Sequence, residues 1–168
     1  RVLIDAPCTG TGTLRRNPDL RWRLSEDELH RINEIQKSVL ESASRLVKAG
    51  GRLVYATCSV LKEENQAVVE AFLAAHPEFH LLNASEVLEG QGVKVPAEVK
   101  DRFGPWFVML PQVTGTDGFF GAVLERDPDA PRRRKPAPEA EAPSEETESV
   151  KAEVTETAAP SSEEPKAE

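Results

Sequence analysis

Cysteine is nearly absent from this chain, with only Cys8 and Cys58 in 168 residues. Two widely spaced cysteines do not make a disulfide framework, and no Cys-x-x-Cys is present to suggest a thiol redox protein. A reducing, cytoplasmic compartment is the expectation. Histidine is equally scarce. His30, His76 and His80 lack metal-ligand spacing to the cysteines, so no metal is expected. His76 and His80 fall after the predicted second helix, towards the opposite edge from the strand ends, so neither is well placed as a base for a Cys-His hydrolase. No apolar run is long enough to span a membrane, and no signal peptide is visible. An initiator Met is missing too. An apolar strand at the first residues predicts a fragment whose upstream part is not included.

Aromatic residues stop abruptly. From Asp127 to Glu168 there is no Phe, Trp or Tyr. That stretch is Pro, Ala, Glu, Ser and Thr, with 12 acidic and 6 basic residues. It cannot bury enough apolar surface to offset the entropy of ordering it. We read 127–168 as a disordered acidic tail. Its basic island, Arg132-Arg133-Arg134-Lys135, reads as a solvated linker charge run. The tail carries most of the net charge of −8, so residues 1–126 are close to neutral. That segment is long enough for one domain with a core, expected as a monomer.

What is present within 1–126 is an α/β pattern. Val2-Leu3-Ile4 reads as a buried strand ending at Asp5, followed by a Pro/Gly/Thr loop. Ser25 with Glu28 fits a helix start with a capping box. Leu29, Ile32, Ile35, Val39, Leu40, Ala43, Leu46 and Val47 continue at helical spacing to Gly50-Gly51. Arg52 to Ala56 is a second strand, with Thr57-Cys58-Ser59 at its exit. A second helix is expected from Lys62 to His76, closed by Pro77. Phe79–Leu82 reads as a third strand, and Phe107–Leu110 with Phe119–Leu124 as a final antiparallel pair. Strand–helix–strand–helix–strand predicts a parallel sheet with right-handed crossovers. Ligands bind beyond the carboxyl ends of such strands. Asp5, Cys8 and Cys58 all fall there, so the two thiols and the carboxylate are expected to share one pocket.

The residue types suit covalent chemistry. Cys58 lies between a strand and a helix start, where the helix dipole favours a thiolate. Pro7 stiffens the turn that carries Cys8. Arg15, Arg16, Arg21 and Arg23, with Trp22 among them, suit a nucleic-acid backbone and a stacking platform; a solvated loop is the competing reading. On residue type alone, Cys8 and Cys58 could exchange roles.

Five motifs occur in order: Asp5-Ala6-Pro7-Cys8-Thr9-Gly10-Thr11-Gly12, Leu14-Arg15-Arg16-Asn17-Pro18-Asp19, Gly50-Gly51-Arg52-Leu53-Val54-Tyr55-Ala56-Thr57-Cys58-Ser59-Val60, Glu63-Glu64-Asn65 and Asp117-Gly118-Phe119-Phe120. Together they resemble the Nol/Nop/Sun family of RNA cytosine-5 methyltransferases over about residues 1–125. The resemblance implies the C-terminal half of a Rossmann-like, S-adenosylmethionine-dependent methyltransferase sheet, with most of the cofactor site upstream of Arg1. It implies an RNA substrate, 16S ribosomal RNA in particular. It assigns Cys58 as the nucleophile that adds to cytosine carbon 6. Cys8 would help release the methylated base. Asp5 would face the cofactor and the cytosine, and Arg15, Arg16 and Arg21 would contact RNA. The rival is a non-catalytic RNA-binding or ribosome-assembly module built on the same fold.

Overall fold

Two parallel strands set the frame. In the computed structural model, which describes residues 1–100 and 102–131, β1 (Val2–Asp5) pairs with β2 (Arg52–Thr57). The register runs from Val2 opposite Leu53 to Asp5 opposite Ala56, and the Ala6 N–H extends it to the Ala56 carbonyl at 2.9 Å. Both chains therefore leave the sheet at the same level. Helix α1 (Glu26–Ser44) makes the crossover, and the Ser25 hydroxyl caps it by accepting the Glu28 N–H at 3.2 Å.

The sheet is mixed rather than parallel throughout. Strands β3 (Phe79–Leu82) and β4 (Phe107–Met109) do not neighbour β2. The longest strand, β5 (Phe119–Arg126), runs antiparallel beside β2, and its other edge takes β3 and β4 in succession. The order is β1-β2-β5-β3. The expected antiparallel pairing of β4 with β5 is present, with Phe107 opposite Gly121. Every residue from Phe120 to Leu124 is buried, which is the pattern of a strand covered on both faces.

Helices α1 and α2 (Gln66–Ala75) cover one face. Leu40, Val68, Val69 and Phe72 pack there against Ile4, Leu53, Tyr55, Phe120 and Leu124. The buried stripe of α1 is Ile32, Gln36, Leu40 and Ser44, so a glutamine stands where apolar periodicity points to Ile35. The helix also stops short of Gly50-Gly51. The Ser44 hydroxyl bonds back to the Glu41 carbonyl at 2.7 Å, Leu46 turns out at 72% exposure, and Val47 folds back into the core. The glycine pair instead lies along the end of β5: the Gly50 N–H donates to the Arg126 carbonyl, and the Arg126 N–H to that of Gly51.

Helix α2 begins four residues later than expected, because residues 62–65 form a turn that points Glu64 and Asn65 inward. Two short helices absent from the sequence reading, α3 (Ala84–Glu89) and α4 (Pro111–Thr114), flank the irregular stretch before β4 and the turn after it. β5 ends at Arg126, where the expected tail begins; from Arg132 onward that tail lies outside the described residues. Among the described residues, no helix is long and apolar enough to cross a membrane.

These end points separate two leucines of α1's apolar pattern. Leu40→Ala is expected to lower unfolding free energy by about 2–5 kcal/mol, and Leu46→Ala by no more than about 0.5 kcal/mol. Urea denaturation of both variants checks this. Equal losses would contradict the observed helix end.

Candidate functional site

The loops leaving β1 and β2 meet at one buried carboxylate. Glu64 is fully buried. One of its oxygens accepts the Thr9 backbone N–H at 2.7 Å and the Gln36 side-chain amide at 3.1 Å. The other accepts the Thr9 hydroxyl at 2.5 Å and the Ser59 hydroxyl. Thr9 follows Cys8 in the chain and Ser59 follows Cys58, so one side chain holds both cysteine loops. All four contacting groups, from three residues, donate, which matches an acceptor-only carboxylate. No cation pairs with it among the described residues.

Further bonds run outward from this point. With Ser59 donating to Glu64, the Thr11 hydroxyl donates to the Ser59 oxygen at 2.9 Å, and the Val60 N–H donates to Thr11 at 3.1 Å. The Tyr55 hydroxyl donates to the Glu64 carbonyl at 2.8 Å. Asn65 accepts from the Thr57 hydroxyl and donates to the Ser59 carbonyl. Gln36 also reaches the Pro7 carbonyl at 2.9 Å, which ties α1 to the first loop.

A third segment closes the joint. The Gly12 N–H donates to the Cys58 carbonyl at 2.9 Å, and the Gly118 N–H donates to the Gly12 carbonyl at 2.8 Å. A Cβ on Gly12 would lie 2.3 Å from the Gly118 carbonyl oxygen and 2.6 Å from that of Cys58. Only glycine permits this approach. Asp117, next to Gly118, pairs with Arg16 and stands 3.8 Å from Arg15.

The result is close contact between the thiols. Cys8 Sγ and Cys58 Sγ are 3.3 Å apart, 50 residues apart in sequence, and both half-buried. Burial pushes the Cys8 thiol up from its ordinary 9.0 to about 12, helped by its hydrogen bond with Cys58. Burial also raises the Tyr55 phenol, which lies behind the site.

The other expected site residues are more spread out. Asp5 ends β1 opposite Ala56 with its carboxylate exposed and without a partner among the described residues. Strand alternation puts it on the same sheet face as Leu3, which borders an apolar groove of about 290 Å³ also lined by Val54, Ala56, Phe107 and Phe119. Arg21 stacks on Trp22 with its guanidinium carbon 4.4 Å from the ring centroid, and Trp22 is 77% exposed. His76 is held by Glu41, and His80 lies beside Glu125 and Asp127. Among the described residues, no group of three or more His, Cys, Asp or Glu could hold a metal.

Sequence reasoning gave Glu64, Gln36, Thr9 and Ser59 no role. One signal was available: Gln36 sits on the i, i+4 row between Ile32 and Leu40, so it had to be buried and bonded.

The family model described as 16S rRNA methyltransferase RsmB/F matches residues 1–125. Ribosomal RNA small subunit methyltransferase B of Thermus thermophilus is 43% identical over 126 residues, covering 75% of this chain and 29% of that protein. Its counterpart from Sodalis glossinidius is 38% identical over 130 residues, covering 77% and 27%. The chain thus spans a little over a quarter of these relatives' length. Among solved structures, PH0851 superposes with a TM-score of 0.63 at 44% identity, covering 74% of this chain and 26% of that one. NSun6 from Pyrococcus horikoshii, solved with the S-adenosylmethionine analogue SFG, superposes with a TM-score of 0.58 at 25% identity, covering 74% and 29%.

The Cys8 thiol should titrate late. The Cys8 alkylation rate is expected to keep rising about tenfold per pH unit through pH 10, whereas an ordinary thiol levels off near 9.0. By linkage, the unfolded chain loses this proton first, so Cys8's contribution to stability falls as pH rises from 9.0 towards 12. Peptide-resolved alkylation checks the rate, and a plateau near pH 9 would contradict the environment described.

Proposed function

Because the chain belongs to the 16S rRNA methyltransferase RsmB/F family, we propose that it supplies the thiol machinery of an RNA cytosine-5 methyltransferase, with Cys58 as nucleophile and Cys8 as the group that releases the product. The observation that carries this reading is the 3.3 Å contact between the two sulfurs.

Carbon 5 of cytosine is a weak nucleophile. A thiolate that adds to carbon 6 pushes electron density onto carbon 5. A sulfonium methyl donor such as S-adenosylmethionine, when bound, would supply an electrophilic methyl group for carbon 5. Cys8 is poorly suited to the attack, since its thiol keeps its proton at neutral pH. It suits the reverse step. When a solvent water takes the carbon 5 proton, the ring double bond re-forms, the bond from carbon 6 to Cys58 breaks, and sulfur leaves as thiolate. An S–H donor 3.3 Å away stabilises that departing charge.

The described residues fit a methyl donor in part. Asp5 offers an unpartnered carboxylate at a strand end, and the apolar groove borders the same sheet face. Asp5 would hold a cationic or amino group of the donor, or the polar edge of cytosine. Arg15, Arg16 and Arg21 would neutralise RNA phosphates, with Trp22 as a surface for a stacked base. The target cytosine would have to leave its stack to reach Cys58.

In the full gene product, Cys58→Ser is expected to abolish methyl transfer to RNA, by at least about 10³-fold. Cys8→Ala is expected to accumulate a covalent protein–RNA species that migrates slowly on a denaturing gel. Methylation by the Cys58 variant, or a trapped adduct there and none in the Cys8 variant, would reverse the roles. Silence from wild-type protein would favour the RNA-binding module.

A further inference from the structure

The thiol pair supports a second chemistry. Cys8 and Cys58 are the chain's only cysteines, and their sulfurs already lie 3.3 Å apart. A disulfide needs about 2.0 Å, so the sulfurs must close by little more than 1 Å. The backbone around them is fixed independently of the sulfurs, by Thr9 and Ser59 on Glu64 and by the Gly12 N–H on the Cys58 carbonyl. With the backbone held there, closure has to come from rotation of the two side chains. Both thiols are half-buried, which leaves a path for a small oxidant.

We propose that Cys8 and Cys58 form a reversible oxidation site, in which a hydroperoxide converts the pair to an intramolecular disulfide and withdraws both thiols from chemistry. The steps balance. Cys58 sulfur attacks the peroxide, the O–O bond breaks, and a sulfenic acid forms as water or an alcohol leaves. Cys8 sulfur then attacks Cys58 sulfur. The S–O bond breaks, and the departing oxygen takes the Cys8 proton and leaves as water. Two electrons pass from the thiols to the peroxide. Burial holds the Cys8 thiol protonated, so Cys58 is the sulfur that meets the peroxide, and Cys8, in contact with it, attacks only as its proton passes to the departing oxygen. The absence of Cys-x-x-Cys does not matter here, since the fold rather than the spacing brings the sulfurs together.

The test uses the chain itself, treated with hydrogen peroxide, quenched, denatured, and exposed to a maleimide before intact-mass measurement. The expected result is a monomer about two mass units lighter that takes no maleimide, and that takes two per chain after dithiothreitol. Cys8→Ser under the same peroxide should lack that species and instead give a Cys58 oxyacid that dimedone traps. Two free thiols after treatment, oxyacids without the lighter species, disulfide-linked dimers, or the lighter species in Cys8→Ser would each overturn the proposal. None of these readouts requires methyl transfer. Loss of methylation on oxidation, restored by dithiothreitol, rests in addition on the proposed function.

Discussion

The buried carboxylate of Glu64 is the point on which the site depends. Burying such a group without a cation is costly unless donors replace the water it loses. Here four donors do so, and they come from the β1 loop, the β2 exit and α1. The exchange is what fixes the loops. Neither Thr9 nor Ser59 can move away without stripping the carboxylate of a partner. A satisfied buried polar group specifies one arrangement of its surroundings; the Glu64 carboxylate is satisfied, while the buried Gln36 Oε1 beside it has no hydrogen-bond partner among the described residues.

The thiol contact follows from that arrangement. The parallel register of β1 and β2 brings both chains out of the sheet together. Glu64 then sets the spacing of the two turns, and the approach of Gly12 to Cys58 and Gly118 seals them against the start of β5. Two sulfurs from distant parts of the chain end up in contact, and burial keeps the proton on Cys8. In the proposed mechanism that proton suits Cys8 to release. The contact itself makes the pair oxidisable.

Much of this was legible in the sequence, for physical reasons. β1 and β2 read correctly because short apolar runs bounded by turn residues have few other uses. Both thiols could be placed at strand ends, and adjacent parallel strands then bring those ends together. Other features left no trace in local pattern. Hydrophobic periodicity does not say which strand becomes whose neighbour, so the insertion of β5 between β2 and β3 was hidden. Leu46 fits a helical stripe by spacing, yet the helix ends at Ser44 before it. Glu64 received no role from the sequence because its burial depends on partners supplied by remote loops.

A double-mutant cycle between Thr9→Val and Ser59→Ala tests the central role of Glu64 most directly. The two hydroxyls bond to the same carboxylate oxygen, and no bond joins them to each other. Their energies should therefore be coupled through Glu64. Unfolding free energies of the wild type, both single variants and the double variant are expected to give a coupling of about 0.5–3 kcal/mol. Additivity within about 0.3 kcal/mol would mean that the two loops are held separately, contradicting the account.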